Sequence, residues 1–387
     1  MFGIILLIIL LAQATFSYSL FELPHPFFLV LGSLQLLLFF GSMLVMMRTF
    51  RNRNTADYRR GFNAFGVMIA SGVPALGFFL FGIVYLITGI AVIEYIGFGI
   101  AIALFVAILV GIIWGRWNWK VHTIELPFEK LPVDSDGLKI VQISDIHVGS
   151  FFNQYEKVEK AIEQINGLEA DYVFFTGDLV NNIAEEMQGW EPVFSKIQAK
   201  EGKYSILGNH DYGDYVPWEK EETKHANLTK LIEIHQEIGF KPLLNEAVEL
   251  KPGFWLLGVE NWGKAPFRQS GELEKTLQNV PNDAFKLLLS HDPSHFDEQV
   301  LETDIDLTLS GHTHGMQFGI ERFGIKWSPV SLRYKKWAGL YQVGKQFLYV
   351  NRGFGYLGFP GRVGIYPEIT LIKLRSTPGL AAEENAE

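Results

Sequence analysis

The chain has 387 residues, 48% of them hydrophobic, with a formal net charge of −9 and no cysteine. This length suits two or three domains, and the lack of thiols excludes disulfides and thiolate metal sites. The charge is uneven: residues 1–120 hold 7 basic and 3 acidic residues, leaving 26 basic and 39 acidic in 121–387, so nothing offsets phosphate repulsion and nucleic acid is excluded as a partner.

Taken in chain order, four apolar runs come first, at about 2–20, 26–47, 66–89 and 95–114. Each approaches the roughly 20 residues that cross about 30 Å of hydrocarbon. The first also has the outline of a signal peptide, with Ala12–Ala14 as a cleavage site, but lacks a basic leader. Pro74 is expected to kink the third run. Glu94 is expected to separate the third from the fourth, and a re-entrant hairpin there stays open. The loop "RTFRNRNTADYRR" holds five arginines, which the positive-inside rule places in the cytoplasm. Two more crossings return the chain there, and the tryptophans of "WGRWNWK" suit an interfacial anchor. The expectation is a protein of the cell (inner) membrane with a cytoplasmic soluble domain. The expected segments are a membrane region at 1–120, a linker at 121–136, the soluble domain at 137–376 and a disordered tail at 377–387.

Within the soluble part, short apolar runs end in polar, glycine-containing turns: "LKIVQISD", "DYVFFTGD", "KYSILGNHD", "FKLLLSHD" and "DLTLSGHTH". Such runs read as buried strands. "NQYEKVEKAIEQINGLEA" and "ANLTKLIEIHQEIGF" carry apolar residues at helical spacing. Strands alternating with helices give an α/β layered domain. "GFWLLGVEN", "QFLYVNRG" and "EITLIKL" add strands for a second sheet.

Each of the five turns delivers a candidate metal ligand. The first carries Asp145 and His147, the second Asp178, and the third Asn209, His210 and Asp211. The fourth carries His291, and the fifth His312 and His314. Residues i and i+2 of an extended segment point the same way, and ligands at strand C-termini share one crevice. Alone, each motif is weak, since G-D is a common turn and H-x-H a slight metal hint. Together they select five of ten histidines. His25, His122, His225 and His235 read as surface or interfacial, and His295 as a neighbour without a ligand role. Carboxylate, imidazole and amide donors without sulfur suit Mn, Fe, Zn or Co. Two such ions clamp the attacking and leaving oxygens of a phosphoester.

D-x-H, G-D, G-N-H-D, H and G-H-x-H in this order resemble the motif set of the calcineurin-like metallophosphoesterases, over about residues 137–375. The resemblance implies an α/β fold, a four-layer β-sandwich flanked by helices, here preceded by a bundle of about four transmembrane helices. It implies two divalent metal ions. Asp145, His147 and His314 would hold one, Asn209, His291 and His312 the other, and Asp178 would bridge them. His210 would face the substrate phosphate and Asp211 would orient its imidazole. The stretch "NRGFGYLGFPGRVGIYPEITLIKL" resembles the membrane-associated YkuE/YaeI-like subgroup, where "GHTHGGQ" is usual; this chain has Met316 at the second glycine. Members and relatives of that subgroup act on lipid-linked pyrophosphates such as UDP-diacylglucosamine. The expected activity is hydrolysis of a phosphodiester or pyrophosphate, with a phosphoesterase of soluble substrates and a non-catalytic membrane sensor as alternatives. Arg333 and Arg362, with Lys335 and Lys336, are candidates for a substrate phosphate or for headgroups. Residues 354–361, "FGYLGFPG", read either as an apolar lip in the bilayer or as a packed loop.

Overall fold

The computed structural model describes residues 2–52 and 58–377. The centre of the arginine-rich loop and all but the first residue of the expected disordered tail lie outside the described residues. The chain divides into two units: residues 1–116 with 358–363, and residues 117–357 with 364–387.

The first unit holds helices α1 (Phe2–Glu22), α2 (Pro26–Asn52), α3 (Tyr58–Thr88) and α4 (Ala91–Ile113). All four are long and apolar enough to cross a membrane. Pro74 lies inside α3. The break between α3 and α4 falls at Gly89 rather than Glu94. Gly89 takes φ +69°, and its N–H donates to the Tyr85 carbonyl at 2.8 Å, which ends a helix at low steric cost. Glu94 instead lies in the first turn of α4, where the helix dipole favours an acid. A polar group joins the first three helices: Ser17 Oγ donates to Gln35 Oε1 at 3.0 Å, and Gln35 Nε2 donates to Ser71 O at 3.2 Å and to Gln13 Oε1. In hydrocarbon such side chains find one another because no water is available. Residues 358–363 belong to this unit: Arg362 N donates to Gly111 O and Arg116 Nη1 to Pro360 O, both at 3.1 Å.

The second unit is a two-sheet sandwich. One sheet comprises β1 (Lys120–Phe128), β2 (Lys139–Ile143), β3 (Tyr172–Phe175), β4 (Gly202–Ser205), β5 (Lys241–Pro242) and β14 (Glu368–Ser376), in the order β1-β14-β2-β3-β4-β5. The other comprises β6 (Glu246–Lys251), β7 (Phe254–Gly258), β8 (Phe285–Leu289), β9 (Leu307–Ser310), β12 (Gly339–Val343) and β13 (Gln346–Val350), in the order β12-β13-β9-β8-β7-β6. A separate hairpin pairs β10 (Ile320–Arg322) with β11 (Ile325–Trp327). In the first sheet β2 to β5 run parallel, and in the second β7, β8, β9 and β13 do.

Period-two alternation sends neighbouring residues to opposite faces. Ile140, Phe174, Leu256, Leu287 and Leu309 fill the space between the sheets. Val141, Ile143, Val173 and Phe175 face outward, against Val158, Ile162 and Ile165 of α5 (Tyr155–Gly167) and Leu231 and Ile234 of helix Glu221–Glu237. Leu257, Leu288 and Leu348 pack with Phe296 and Val300 on the outer face of the second sheet. This is the expected α/β sandwich flanked by helices. The expected linker, 121–136, is corrected: its first half is β1, parallel to β14 with Lys120 opposite Glu368. It is an edge strand with one face covered, so Thr123, Glu125 and Pro127 alternate with Ile124, Leu126 and Phe128 and hide the pattern. His235 is corrected too. It is fully buried, its Nδ1 2.8 Å from Ser205 Oγ and its ring stacked on Phe175.

Candidate metal centre

The candidate ligand residues sit just past the C-terminal ends of β2, β3, β4, β8 and β9, where parallel strands of both sheets open onto one crevice. Backbone strain is concentrated there. Asp145, His147, Asp178, His312 and His314 all have φ between 47° and 70°, a left-handed conformation costing a non-glycine residue roughly 1–2 kcal/mol. Such outliers persist where the surroundings over-determine them, typically at functional sites. Glycine makes the close approach possible at two turns. A Cβ on Gly208 would stand 2.2 Å from Asp178 Oδ1, and one on Gly311 2.3 Å from Asp145 Oδ2.

Two groups of ligand atoms form: Asp145, His147 and His314, and Asp178, His291 and His312. Asp178 lies between them, with Oδ2 3.5 Å from His147 Nε2 and 3.1 Å from His291 Nε2. Within the first group His147 Nε2 is 3.0 Å from His314 Nε2, which is 3.2 Å from Asp145 Oδ1. Asn209 Oδ1 lies 2.8 Å from His312 Nδ1. The outward ring nitrogens are committed: His147 Nδ1 meets Val180 O at 3.1 Å and His291 Nδ1 meets Thr176 O at 2.7 Å. Donating there leaves each Nε2 with a lone pair aimed at carboxylates. A buried gathering of acceptors is self-repelling unless a cation joins it, so the residues fit divalent metal. The titration directions agree. Burial pushes His147 and His312 down. Burial opposes charge on His291 as well, yet the Asp178 and Asp145 carboxylates lift it to about 10, so the site draws positive charge inward.

His210 is held by its Nδ1, 2.6 Å from Asn181 O, and its ring packs on Tyr215 at 4.5 Å. The expected role of Asp211 is corrected. Its carboxylate accepts the backbone N–H groups of Asp178, Leu179 and Gly208 at 2.8–2.9 Å, so it fixes the Asp178 turn rather than the His210 ring. Burial and Asp178 push it up to about 7. Arg333 is exposed, its guanidinium 5.1 Å above the Phe267 ring. With Lys264, Tyr334, Lys335 and Lys336 it lines a cavity of about 420 Å³. Arg362 is corrected as a phosphate contact: it has no exposed surface and belongs to the helical unit. Phe354, Tyr356 and Phe359 are likewise buried, so 354–361 is a packed loop. His295 bonds Ser290 Oγ and Gln299 Oε1, both at 2.8 Å, and takes no part.

Sequence reading missed four supporting residues. Tyr334 OH lies 2.9 Å from His312 Nε2 and donates to Asp292 Oδ2 at 3.1 Å, and Asp292 Oδ2 is 3.4 Å from His312 Nε2. Asn209 Nδ2 donates to Tyr215 OH at 2.8 Å, which turns Oδ1 inward. Glu186 accepts the N–H groups of Asn181, Asn182 and Ile183 at 2.6, 2.9 and 3.2 Å, securing the carbonyl that holds His210. Only Asp292 carried a signal, as the acid directly after His291. Carboxylates behind a ligand imidazole typically contribute 10–100-fold to metal affinity or activity. Asp292→Asn is therefore expected to weaken metal retention by about that factor, read by titration with a chelator. Unchanged retention would reduce Asp292 to a packing role.

The calcineurin-like phosphoesterase family matches residues 138–316. The metallophosphoesterase YkuE of Bacillus subtilis is 33% identical over 268 residues, covering 66% of this chain and 85% of its own length. A transmembrane protein with metallophosphoesterase domain from Danio rerio is 31% identical over 66% of this chain, which spans 57% of that relative. A metallophosphoesterase of Aquifex aeolicus is 25% identical, over 66% and 92%. With the family match and 33% identity to a metallophosphoesterase covered over 85% of its length, this membrane protein belongs to the calcineurin-like metallophosphoesterase family and is a metal-dependent phosphoesterase.

Proposed function

We propose that the chain hydrolyses a phosphodiester or pyrophosphate bond of a lipid-linked substrate, with UDP-diacylglucosamine as the type compound, using two divalent ions. The carrying observation is the Asp178 carboxylate set between two His/Asp groups. Asp145, His147 and His314 would hold one ion, Asn209, His291 and His312 the other, with Asp178 shared; Mn, Fe, Zn and Co suit these donors. When bound, the ions supply Lewis acidity and a water of lowered pKa. His210, pinned through Nδ1 by Asn181 O, presents Nε2. Burial lowers its pKa, so in its protonated form it readily gives a proton to the leaving oxygen. Arg333 offers a fork of donors to a second phosphate in the adjoining cavity.

Four apolar helices favour a lipid-linked substrate, since an anchored enzyme works at the headgroup layer. We place the catalytic unit on the cytoplasmic side of the cell (inner) membrane, on the arginines at 48, 51, 53, 59 and 60. A C-terminal reporter fusion is expected to read as internal, and an external signal would reverse this. The substrate reading is tested by offering the purified full chain UDP-diacylglucosamine and other lipid phosphodiesters in detergent micelles, beside bis-p-nitrophenyl phosphate, with added Mn²⁺. Lipid turnover is expected. Hydrolysis of water-soluble diesters alone would leave a phosphoesterase of soluble substrates.

A further inference from the structure

We infer that the β10–β11 hairpin, with Leu332 beyond it, is a docking surface for an anionic lipid bilayer. Phe323 at the hairpin tip is 97% exposed and Leu332 88%, with Ile320, Ile325 and Trp327 each half exposed or more. Ile320 pairs with Trp327 and Arg322 with Ile325, which puts three apolar side chains on one face of the hairpin; clustered apolar surface marks an interaction site, whereas scattered single residues do not. Its charge identifies the partner. Residues 316–336 carry five basic residues (Arg322, Lys326, Arg333, Lys335 and Lys336, the last paired with Asp297) against one acid, Glu321, within a region where acids outnumber bases. Apolar side chains with a tryptophan, rimmed by cations, complement hydrocarbon beneath anionic headgroups.

The hairpin is held firmly. Glu321 accepts two bonds from Arg352 at 2.7 Å, and Arg352 Nη1 donates to the buried Glu368 at 2.6 Å. A fixed base carrying an apolar tip is unlike a mobile loop whose side chains are exposed by chance. The surface begins at the metal centre itself, because Met316 follows His314 by two residues. Met316 takes φ 51° and is 54% exposed. A glycine would adopt that backbone without strain; methionine accepts the strain and adds an apolar side chain to the rim. Because the helices keep the chain at a bilayer, even weak insertion is populated through high effective concentration.

The inference deepens the proposed function at its substrate end, but its test registers the hairpin alone and reads the same whether or not a lipid is hydrolysed. The chain has no cysteine, so single reporters are unambiguous. Phe323→Cys and Leu332→Cys, each labelled with bimane in the full chain, are placed in nanodiscs of anionic lipid carrying doxyl-lipid quencher. Val133→Cys, at a 72% exposed site before β2, is the control. At least twofold stronger lipid quenching at 323 and 332 than at 133 is expected, with reduced quenching by aqueous iodide. Equal lipid quenching at all three sites would overturn the inference. Shielding of 323 and 332 from both quenchers would mean that a protein covers the hairpin, and would overturn it too.

Discussion

Asp178→Asn is expected to lower turnover of bis-p-nitrophenyl phosphate by at least about a thousandfold, or ~4 kcal/mol of transition-state stabilisation. The substitution keeps the shape of the side chain and an oxygen for the His210 N–H, which Asp178 Oδ1 accepts at 2.8 Å. What it removes is the charge shared between the two groups, through the oxygen 3.5 Å from His147 and 3.1 Å from His291. His291 first and then His210 hold the Asp178 carboxyl well below the usual carboxylate range despite burial. An amide cannot bridge two cations equally, so bound metal should fall well below two ions per chain by elemental analysis. Circular dichroism should stay unchanged, because the Asp178 turn is held by Asp211 through backbone bonds. Turnover within tenfold of the parent chain, with two ions retained, would show that Asp178 does not bridge.

Much of this candidate centre is legible in the sequence, for a physical reason. Metal ligation needs particular donor atoms at the ends of buried strands, and both leave marks in one dimension: apolar runs, turn glycines and acid or imidazole residues two apart. The H-T-H pair carries all three marks, and Asp145 and His147 carry the first and the third. The supporting residues carry none. Tyr334 and Tyr215 reach the site from irregular segments, and their roles depend on three-dimensional proximity to His312 and Asn209. Asp211 misled for a related reason. Adjacency to His210 suggested a ring partner, but the backbone turn aims its carboxylate at three N–H groups instead. Residues 354–361 stayed open between an apolar lip and a packed loop because composition does not report burial. "FGYLGFPG" and "IERFGIKW" are both aromatic and glycine-containing, yet only the second leaves its aromatic tip in solvent. β1 was hidden because an edge strand needs only one apolar face.

His235 should make the fold sensitive to acid. It is fully buried, with Ser205 Oγ as its polar contact and Phe175 against its ring face, and burial pushes its pKa down to about 3. In the unfolded chain an imidazole titrates near 6.5. Below that value the unfolded state binds a proton that the folded state refuses. Stability from the neutral ring is thus complete above about pH 6.5 and is lost as pH falls toward 3. The full loss is on the order of 4–5 kcal/mol at 1.36 kcal/mol per pH unit. His295, pushed down to about 4 by burial, acts in the same direction. Glu186 acts in the opposite one: burial raises it to about 7, so its contribution is complete at low pH and is lost as pH rises through 7. The raw pH profile therefore mixes signs, and the informative quantity is the difference between the parent chain and His235→Gln. The glutamine keeps a partner for Ser205 and removes the titration. In detergent, the variant is expected to melt a few degrees below the parent at pH 7.5 through poorer packing on Phe175. That gap should shrink or reverse by pH 5, because only the parent gains a proton when unfolding exposes the ring. Melting curves that stay parallel from pH 7.5 to 5 would mean that water reaches His235 in the folded state and that it titrates there as it does in the unfolded chain.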